Sequence, residues 1–123
     1  MEVIALVPEA SGICYSTRTD TLFVVNDEGK IYEVSKNGKI LCAKQLGKYD
    51  LEGVACDDVA KRLYFAVEGK DNILIVDQRT LQVLKEMDVD RVYHGKKLLI
   101  KDKEQGLEGI ALVNDRIYLA NQS

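Results

Sequence analysis

Oxygen-bearing side chains recur beside a repeated glycine in this sequence. Ser11, Glu52 and Glu108 each come directly before the glycine of the phrases SGICYS, LEGVAC and LEGIAL. A second set follows at matching later positions, namely Asp27, Glu68 and Gln122 with the neighbouring Asn26 and Asn121. Carboxylate and amide oxygens are the ligands that calcium prefers, about six to eight of them. The pattern predicts calcium binding at Glu52, Glu108, Glu68 and Asp27, with ligand binding at Asn26, Asn121 and Gln122.

Short strand-like runs surround each glycine phrase and would position these side chains. The runs LFVVND, LYFAVE and IYLANQ follow the three phrases, and KIYEV and NILIV follow the first two of those runs. They are rich in β-branched and aromatic residues, and turn-prone segments such as STRTD, DEGK and EGKDN separate them. No stretch sustains a helical period over about 11 residues. The sequence therefore predicts an all-β protein.

The repeat has a period of roughly 40 residues with four strands per unit, which is typical of a β-propeller blade. We predict complete four-stranded blades at 9–49 and 50–90, an insertion at 90–105 that forms a loop or extra hairpin, and a partial third blade at 106–123. The run EVIALV at 2–7 would supply an outer strand of that third blade. All of these parts belong to a single propeller-like domain.

The number of blades is too small for a closed ring, because closed propellers have about 4 to 8 blades. Two copies of the chain would give about six, so homodimerisation is one way to complete the propeller. The other is that the chain is a fragment of a longer propeller. Both alternatives stay open at this point.

The quoted phrases resemble the SdiA-regulated family of bacterial β-propellers. LEGVA and LEGIA, each leading into LYFAVEG or IYLANQ, and the preceding SGICYSTRTDTLFVVNDEGKIYEV carry the resemblance, over most of residues 9–123. The family is related in architecture to esterase-like phytase-related and gluconolactonase-like propellers. The resemblance implies a propeller of the cell envelope or periplasm, often with calcium and mostly without an assigned reaction. Family members carry a whole propeller in one chain, whereas this chain would hold about half.

Glu52 and Glu108 also have a structural interpretation. A carboxylate at a crowded blade edge can accept hydrogen bonds from backbone N–H groups of the next blade and so stabilise closure without a ligand. This interpretation accounts for the recurrence of the acidic position, because interblade contacts recur at every blade. A cation site and an interblade hydrogen bond are therefore the two roles to distinguish.

The cysteines and the single histidine give little support to nucleophilic catalysis. Cys14, Cys42 and Cys56 are odd in number and widely spaced, so we interpret them as small core or strand residues. His94 lies in VYHGKK, which is typical of a turn, and a catalytic cysteine or serine needs a histidine base beside it. Catalysis would therefore depend on carboxylates alone.

Charge and hydropathy exclude two classes of partner. The 123 residues include 17 basic and 20 acidic ones, with a net charge of −3 and no basic cluster of the kind that binds nucleic acid. No run of about 18 apolar residues predicts a membrane span, and MEVIALVPEA lacks the basic start of a secretory signal. We predict a binding or scaffold module with a small-molecule or protein ligand. The alternative is a metal-dependent lactone or ester hydrolase of the gluconolactonase-like type.

Overall fold

The computed structural model describes Val7 and residues 10–69, 72–88, 92–93, 96–97, 107–114 and 116–121. Every regular element in this described part of the chain is a β-strand, which confirms the all-β prediction. None of the described residues belongs to a helix long and apolar enough to cross a membrane. The core must therefore form where sheets pack face to face.

Two four-stranded antiparallel sheets follow one another along the chain, each with its strands in sequence order. Blade 1 comprises β1 (Ala10–Ser16), β2 (Thr21–Asn26), β3 (Lys30–Ser35) and β4 (Ile40–Gln45). Blade 2 comprises β5 (Leu51–Asp57), β6 (Arg62–Val67), β7 (Asn72–Asp77) and β8 (Val83–Asp88). The sheets have the meander order of propeller blades.

Two further hairpins lie after blade 2. In the first, β9 (Val92–Tyr93) pairs with β10 (Lys96–Lys97). In the second, β11 (Leu107–Val113) pairs with β12 (Arg116–Asn121). The β11–β12 hairpin has the same register pattern as the first two strands of each blade. It is therefore the inner hairpin of a partial third blade.

A β-bulge interrupts the first strand of every inner hairpin just before the repeated glycine. The register shifts between Ala10 and Gly12 in blade 1 and at the matching places in blade 2 and the β11–β12 hairpin. The bulged residues are Ser11, Glu52 and Glu108. A bulge sets one extra residue opposite a regular strand and redirects its side chain. This geometry explains why an oxygen-bearing residue and a glycine recur as a pair.

Hydrophobic residues pack between successive blades. The fully buried members of the cluster between blade 1 and blade 2 are Phe23, Val25, Ile31, Leu51, Leu63, Phe65, Val67, Leu74 and Val76. The opposite side of blade 2 packs against the β11–β12 hairpin through Tyr64, Ile73, Ile75, Ile110, Leu112 and Leu119. Burying one such side chain contributes about 1.5–3 kcal/mol. These two interfaces hold consecutive blades face to face.

The repeated glycines lie where the innermost strands approach most closely. A Cβ atom on Gly12 would lie 2.7 Å from the Cα of Gly53, and a Cβ on Gly53 would lie 3.2 Å from the Cα of Gly109. Carbon atoms in contact are ordinarily about 3.5–4.0 Å apart. The absence of a side chain is therefore what lets β1, β5 and β11 pack side by side.

A disulfide bond joins Cys14 of β1 to Cys56 of β5, with the Cα atoms 5.9 Å apart. Both residues lie in strands against the core, as the sequence analysis interprets them, but the bond between them was not predicted. Both side chains contact the cluster between blade 1 and blade 2, from opposite blades, so they meet across the interface. Cys42 is free and exposed. The disulfide is a covalent link between blades.

Asp58, in the turn after β5, ties blade 1 to blade 2. Its Oδ1 accepts hydrogen bonds from Ser16 Oγ at 2.6 Å and Gln78 Nε2 at 2.8 Å. Its Oδ2 accepts from the backbone N–H and the hydroxyl of Thr17, both at 2.8 Å. Burial raises the pKa of Asp58, but these hydrogen bonds outweigh burial and lower the pKa to about 2. The carboxylate is therefore ionised, and each of its oxygens accepts at least one hydrogen bond from blade 1.

Candidate functional site

Three carboxylates converge where the inner hairpin of blade 2 begins and ends. Asp50 precedes β5, Glu52 is the bulged residue of β5, and Glu68 follows β6. One oxygen from each carboxylate lies within 4.8 Å of the other two. Glu52 and Glu68 are partly buried, whereas Asp50 is exposed. We call this group the Asp50–Glu52–Glu68 cluster.

Local strand pairing brings the three residues together. Leu51 pairs with Val67, and the backbone N–H of Glu68 donates to the carbonyl oxygen of Asp50 at 2.9 Å. The start of β5 is thereby held against the end of β6. The bulge at Glu52 then places this residue opposite no regular partner. The cluster follows from the antiparallel register together with the bulge.

The electrostatics of the cluster favour a positively charged occupant. Partial burial raises the pKa of Glu52, and hydrogen bonding and repulsion from Asp50 and Glu68 raise it further, to about 9. Glu52 therefore keeps a proton at neutral pH when no cation is bound. A cation that neutralises the neighbouring charges would displace this proton.

The donor chemistry fits a hard cation. All three side chains offer carboxylate oxygens, which suit calcium or magnesium, whereas zinc and copper prefer nitrogen and sulfur ligands. Three carboxylates can supply about six oxygens when each binds through both. The exposed side at Asp50 leaves room for water or a ligand oxygen to complete the coordination.

Asn26 and Asp27 of blade 1 are not part of the cluster. Asn26 is buried, and its Oδ1 accepts hydrogen bonds from the backbone N–H groups of Glu28 at 3.1 Å and Lys30 at 2.9 Å. This side chain shapes the turn between β2 and β3. Asp27 is exposed and lies outside the group of carboxylates that the described residues bring together. Ligand binding by Asn26 and calcium binding by Asp27 stay predictions.

Ser11, the bulged residue of blade 1, shows the alternative use of this position. Its hydroxyl donates a hydrogen bond to the carbonyl oxygen of Leu51 in the next blade. The bond joins β1 to β5 beside the close approach of their glycines. The interblade hydrogen bond considered for the acidic positions thus occurs at Ser11, although with the side chain as donor.

The remaining predicted site residues belong to the third blade. Glu108 lies at the bulge of β11 and Asn121 is the last residue of β12, but their side chains lie outside the described part of the structure. Gln122 also lies outside the described residues. The roles of these three residues stay predictions.

Asp50 is the site residue that the sequence analysis missed. The predicted site residues occupy positions at which oxygen-bearing side chains recur in all three phrases, whereas the residue that matches Asp50 in the third phrase is Gly106. The available signal was the spacing of two residues between Asp50 and Glu52, because side chains two apart on an extended chain point to the same side.

The fold and its interblade contacts define the class of the protein. Four-stranded meanders that pack face to face, with their first strands closest together, are the blades of a β-propeller, and the chain is a partial one. The SdiA-regulated family model matches residues 2–122. The chain belongs to the SdiA-regulated family.

Solved structures with the same architecture include two bacterial proteins. Glutaminyl cyclase of Myxococcus xanthus has a TM-score of 0.74 at 19% identity, over 95% of this chain and 52% of that one. Hydrazine synthase of Kuenenia stuttgartiensis has a TM-score of 0.67 at 22% identity, over 98% of this chain and 31% of that one. At these identities the likeness concerns the fold alone.

A eukaryotic structure extends the comparison. The Cps50 (Swd1) β-propeller domain of Myceliophteria thermophila has a TM-score of 0.63 at 10% identity, over 94% of this chain and 32% of that one. The chain thus spans about a third to a half of the length of these structures. No curated protein matches the chain by sequence.

Proposed function

We propose that the chain is a β-propeller binding module that holds calcium at the Asp50–Glu52–Glu68 cluster. The observation that carries this proposal is the placement of three carboxylate oxygens within 4.8 Å of one another. Such closely placed negative charges repel one another unless a proton or a cation lies between them. Calcium suits the cluster because it accepts oxygen ligands in irregular geometry.

A bound calcium ion would have a structural and a binding consequence. It would join the start of β5 to the end of β6 and so hold the inner hairpin of blade 2 in place. Because Asp50 is exposed, the ion would also present an open coordination position to solvent. A ligand carboxylate, carbonyl or hydroxyl oxygen could occupy that position.

Calcium titration tests the proposal directly. We expect isothermal calorimetry on metal-free protein to detect calcium binding, and calcium at about millimolar concentration to raise the melting temperature. Glu52→Gln should abolish both effects. Asp27→Asn is the matched control, because Asp27 occupies the position of Glu68 in blade 1 but lies outside the cluster. A wild-type melting temperature that does not change when calcium is added would contradict the proposal.

A hydrolase of lactones or esters is the second candidate function. The supporting feature is the raised pKa of Glu52 beside the carboxylates of Asp50 and Glu68, which suits the group to acid–base chemistry when no cation is bound. A metal ion that binds the cluster in place of this proton could instead polarise a carbonyl group. A lactone and ester screen with Glu52→Gln as the control separates the candidates, since activity that survives this substitution cannot arise from the cluster.

Self-association and an oxidising compartment complete the proposed function. The described blades do not close a ring. We propose that a second copy of the chain completes it; further blades of a longer chain are the alternative. The Cys14–Cys56 disulfide supports a location in the cell envelope or periplasm, because disulfides persist in oxidising compartments. Thiol labelling of protein extracted under denaturing conditions should modify Cys42 alone. Labelling of all three cysteines would contradict this location.

A further inference from the structure

The turns at one end of the sheets carry most of the exposed basic side chains of blades 1 and 2. In each blade, the turn between the first and second strands and the turn between the third and fourth strands lie at the same end of the meander. We call this end the basic rim. The exposed cations in or directly beside its four turns are Arg18, Lys36, Lys39, Lys61, Arg62 and Arg79.

The turns of the two blades form one continuous surface. The backbone N–H of Thr17 in the β1–β2 turn donates to Asp58 in the β5–β6 turn at 2.8 Å, and Arg18 donates to Gln78, which follows β7. The basic side chains of this surface are spread over four turns in the sequence. The fold therefore gathers a basic surface that the sequence alone does not indicate.

The acidic side chains of the basic rim are paired or hydrogen-bonded. Asp20 and Asp77 form ion pairs with basic side chains of the same rim, at 2.9 and 3.1 Å. Asp57 is 8% exposed and accepts a hydrogen bond from a tyrosine hydroxyl at 2.8 Å. Asp58 is held by the interblade hydrogen bonds described above. Little uncompensated negative charge therefore reaches the surface at this end.

The remaining cations give the basic rim a surplus of positive charge. Arg18, Lys39, Lys61 and Arg62 form no ion pair with a carboxylate in the described part of the chain. The opposite rim holds the Asp50–Glu52–Glu68 cluster. Although the whole chain has a net charge of −3, its two rims thus differ in the sign of their charge.

Large aliphatic side chains are exposed at the same rim. Val59, in the β5–β6 turn, is 93% exposed, and Leu41 and Leu84, near the starts of β4 and β8, are 51% and 49% exposed. Leu41 and Leu84 are the extra residues of β-bulges at matching positions of the two blades. A bulge redirects its side chain. Basic and aliphatic groups on one surface are typical of proteins that bind at a membrane interface.

We propose that the basic rim docks on the surface of an anionic lipid membrane. Charge complementarity carries this choice of partner, because lysine and arginine close to a bilayer are attracted by the negative headgroups. Val59 enters the headgroup layer, where its side chain leaves water. The rim with the Asp50–Glu52–Glu68 cluster then faces away from the membrane. This inference goes beyond the proposed calcium binding and does not depend on it.

Co-sedimentation with vesicles in EDTA is the first experiment. We expect wild-type protein to bind vesicles of phosphatidylglycerol and phosphatidylcholine in equal parts, to be released by salt, and not to bind pure phosphatidylcholine. Lys39→Gln with Lys61→Gln should weaken binding at least about tenfold. Lys44→Gln with Lys48→Gln is the matched control, because it makes the same change of charge at exposed positions away from the basic rim. Circular dichroism verifies that each variant is folded.

Two results of this experiment would overturn the inference. One is equal binding of the wild type to anionic and neutral vesicles, which would show that charge does not select the partner. The other is an equal loss of binding in the two double variants, which would show that the position of the cations on the basic rim is irrelevant.

A single tryptophan tests the orientation, because the chain has none of its own. Val59→Trp should shift its fluorescence emission to shorter wavelength when anionic vesicles are added, whereas Glu28→Trp, exposed at the opposite rim, should not. Val59→Ser should weaken vesicle binding roughly threefold or more. Equal shifts for both tryptophans would overturn the inference. Binding to soluble heparin as tight as to vesicles, with Val59→Ser affecting neither, would assign the rim to a soluble polyanion and reject the membrane.

Discussion

Glu52 connects the charge of the cluster to the stability of the fold. Its pKa rises from 4.5 to about 9 on folding, so the folded state binds the proton more tightly than the unfolded state. The stabilising contribution of protonated Glu52 is complete below pH 4.5 and is lost as pH rises through about 9.

We therefore predict that the melting temperature in EDTA falls as pH rises from about 5 to about 9, by roughly 5 °C or more. Glu52→Gln should flatten this dependence, because glutamine mimics the neutral acid and does not ionise. Thermal unfolding followed by circular dichroism measures the effect, with Asp27→Asn as the control. Equal slopes for wild type and Glu52→Gln would contradict the prediction.

The contribution of Asp58 to the stability of the fold should depend on pH in the opposite direction. Its pKa falls from 3.8 to about 2 on folding, so its contribution to stability is present above pH 3.8 and is lost as pH falls through about 2. Asp58→Ala should lower the free energy of unfolding by about 1–3 kcal/mol, because it leaves the buried Ser16 hydroxyl without its acceptor. Urea unfolding at neutral pH measures the loss.

Asp20→Ala is the comparison for Asp58→Ala. Asp20 forms an exposed ion pair with Lys36 at 2.9 Å, and exposed pairs contribute about 0–1 kcal/mol. A loss for Asp20 as large as that for Asp58 would show that the interblade position of Asp58 has no special effect.

Two of the three residues of the Asp50–Glu52–Glu68 cluster could be predicted from residue type and repeat position, and the third could not. Glu52 and Glu68 could be selected because they recur with the repeat and carry oxygen. Asp50 could not, because an oxygen-bearing residue does not recur at its position in all three phrases, the third having Gly106 there, and because its role depends on how the bulge at Glu52 sets the register. A bulge is a property of strand pairing, so composition alone does not reveal it.

At the scale of the strand, β1, β5 and β11 approach one another closely, so alanine should be tolerated to a different degree at each repeated glycine. Gly12→Ala should destabilise the chain by about 1–3 kcal/mol, because its Cβ would meet backbone at 2.7 Å. Gly53→Ala should lower the free energy of unfolding by less, since its Cβ would lie 3.2 Å from the nearest atoms. Gly109→Ala should be nearly neutral in dilute, monomeric protein. Urea unfolding gives the order, and an equal cost at all three positions would refute this account.

The disulfide links the first strands of blades 1 and 2 across a separation of 42 residues. Cys14→Ser with Cys56→Ser should lower the free energy of unfolding by about 2–4 kcal/mol, mainly because the unfolded chain gains freedom. Cys42→Ser, at an exposed position of β4, is the control and should leave the free energy of unfolding unchanged. The same loss on adding reductant to Cys42→Ser protein would assign the effect to the disulfide.

Strand pattern and period predicted the blades well, because both arise from local chemistry. Short apolar runs bounded by turn segments indicate where each strand begins and ends, and the glycine phrase indicates the repeat. The Cys14–Cys56 pair was not predicted because the two residues differ by one position in the repeat, Cys14 matching Ala55 and Cys56 matching Tyr15. Only the facing of adjacent blades brings them together.

At the scale of the whole molecule, dimerisation should couple stability to concentration. If two copies close a ring, the melting temperature should rise with protein concentration, because association stabilises the folded state by mass action. Differential scanning calorimetry over about a hundredfold range of concentration tests this. A concentration-independent wild type would contradict it.

A hydrophobic cluster and a disulfide join blades 1 and 2. We therefore expect the backbone amides of these two sheets to be protected from hydrogen exchange to a similar degree. The β11–β12 hairpin rests on blade 2 through a smaller apolar cluster, without the covalent link that joins the first two blades. Local opening should therefore occur there first. In deuterated water, the amides of β11 and β12 should exchange well before those of β2 and β6, which should exchange at one common, slow rate.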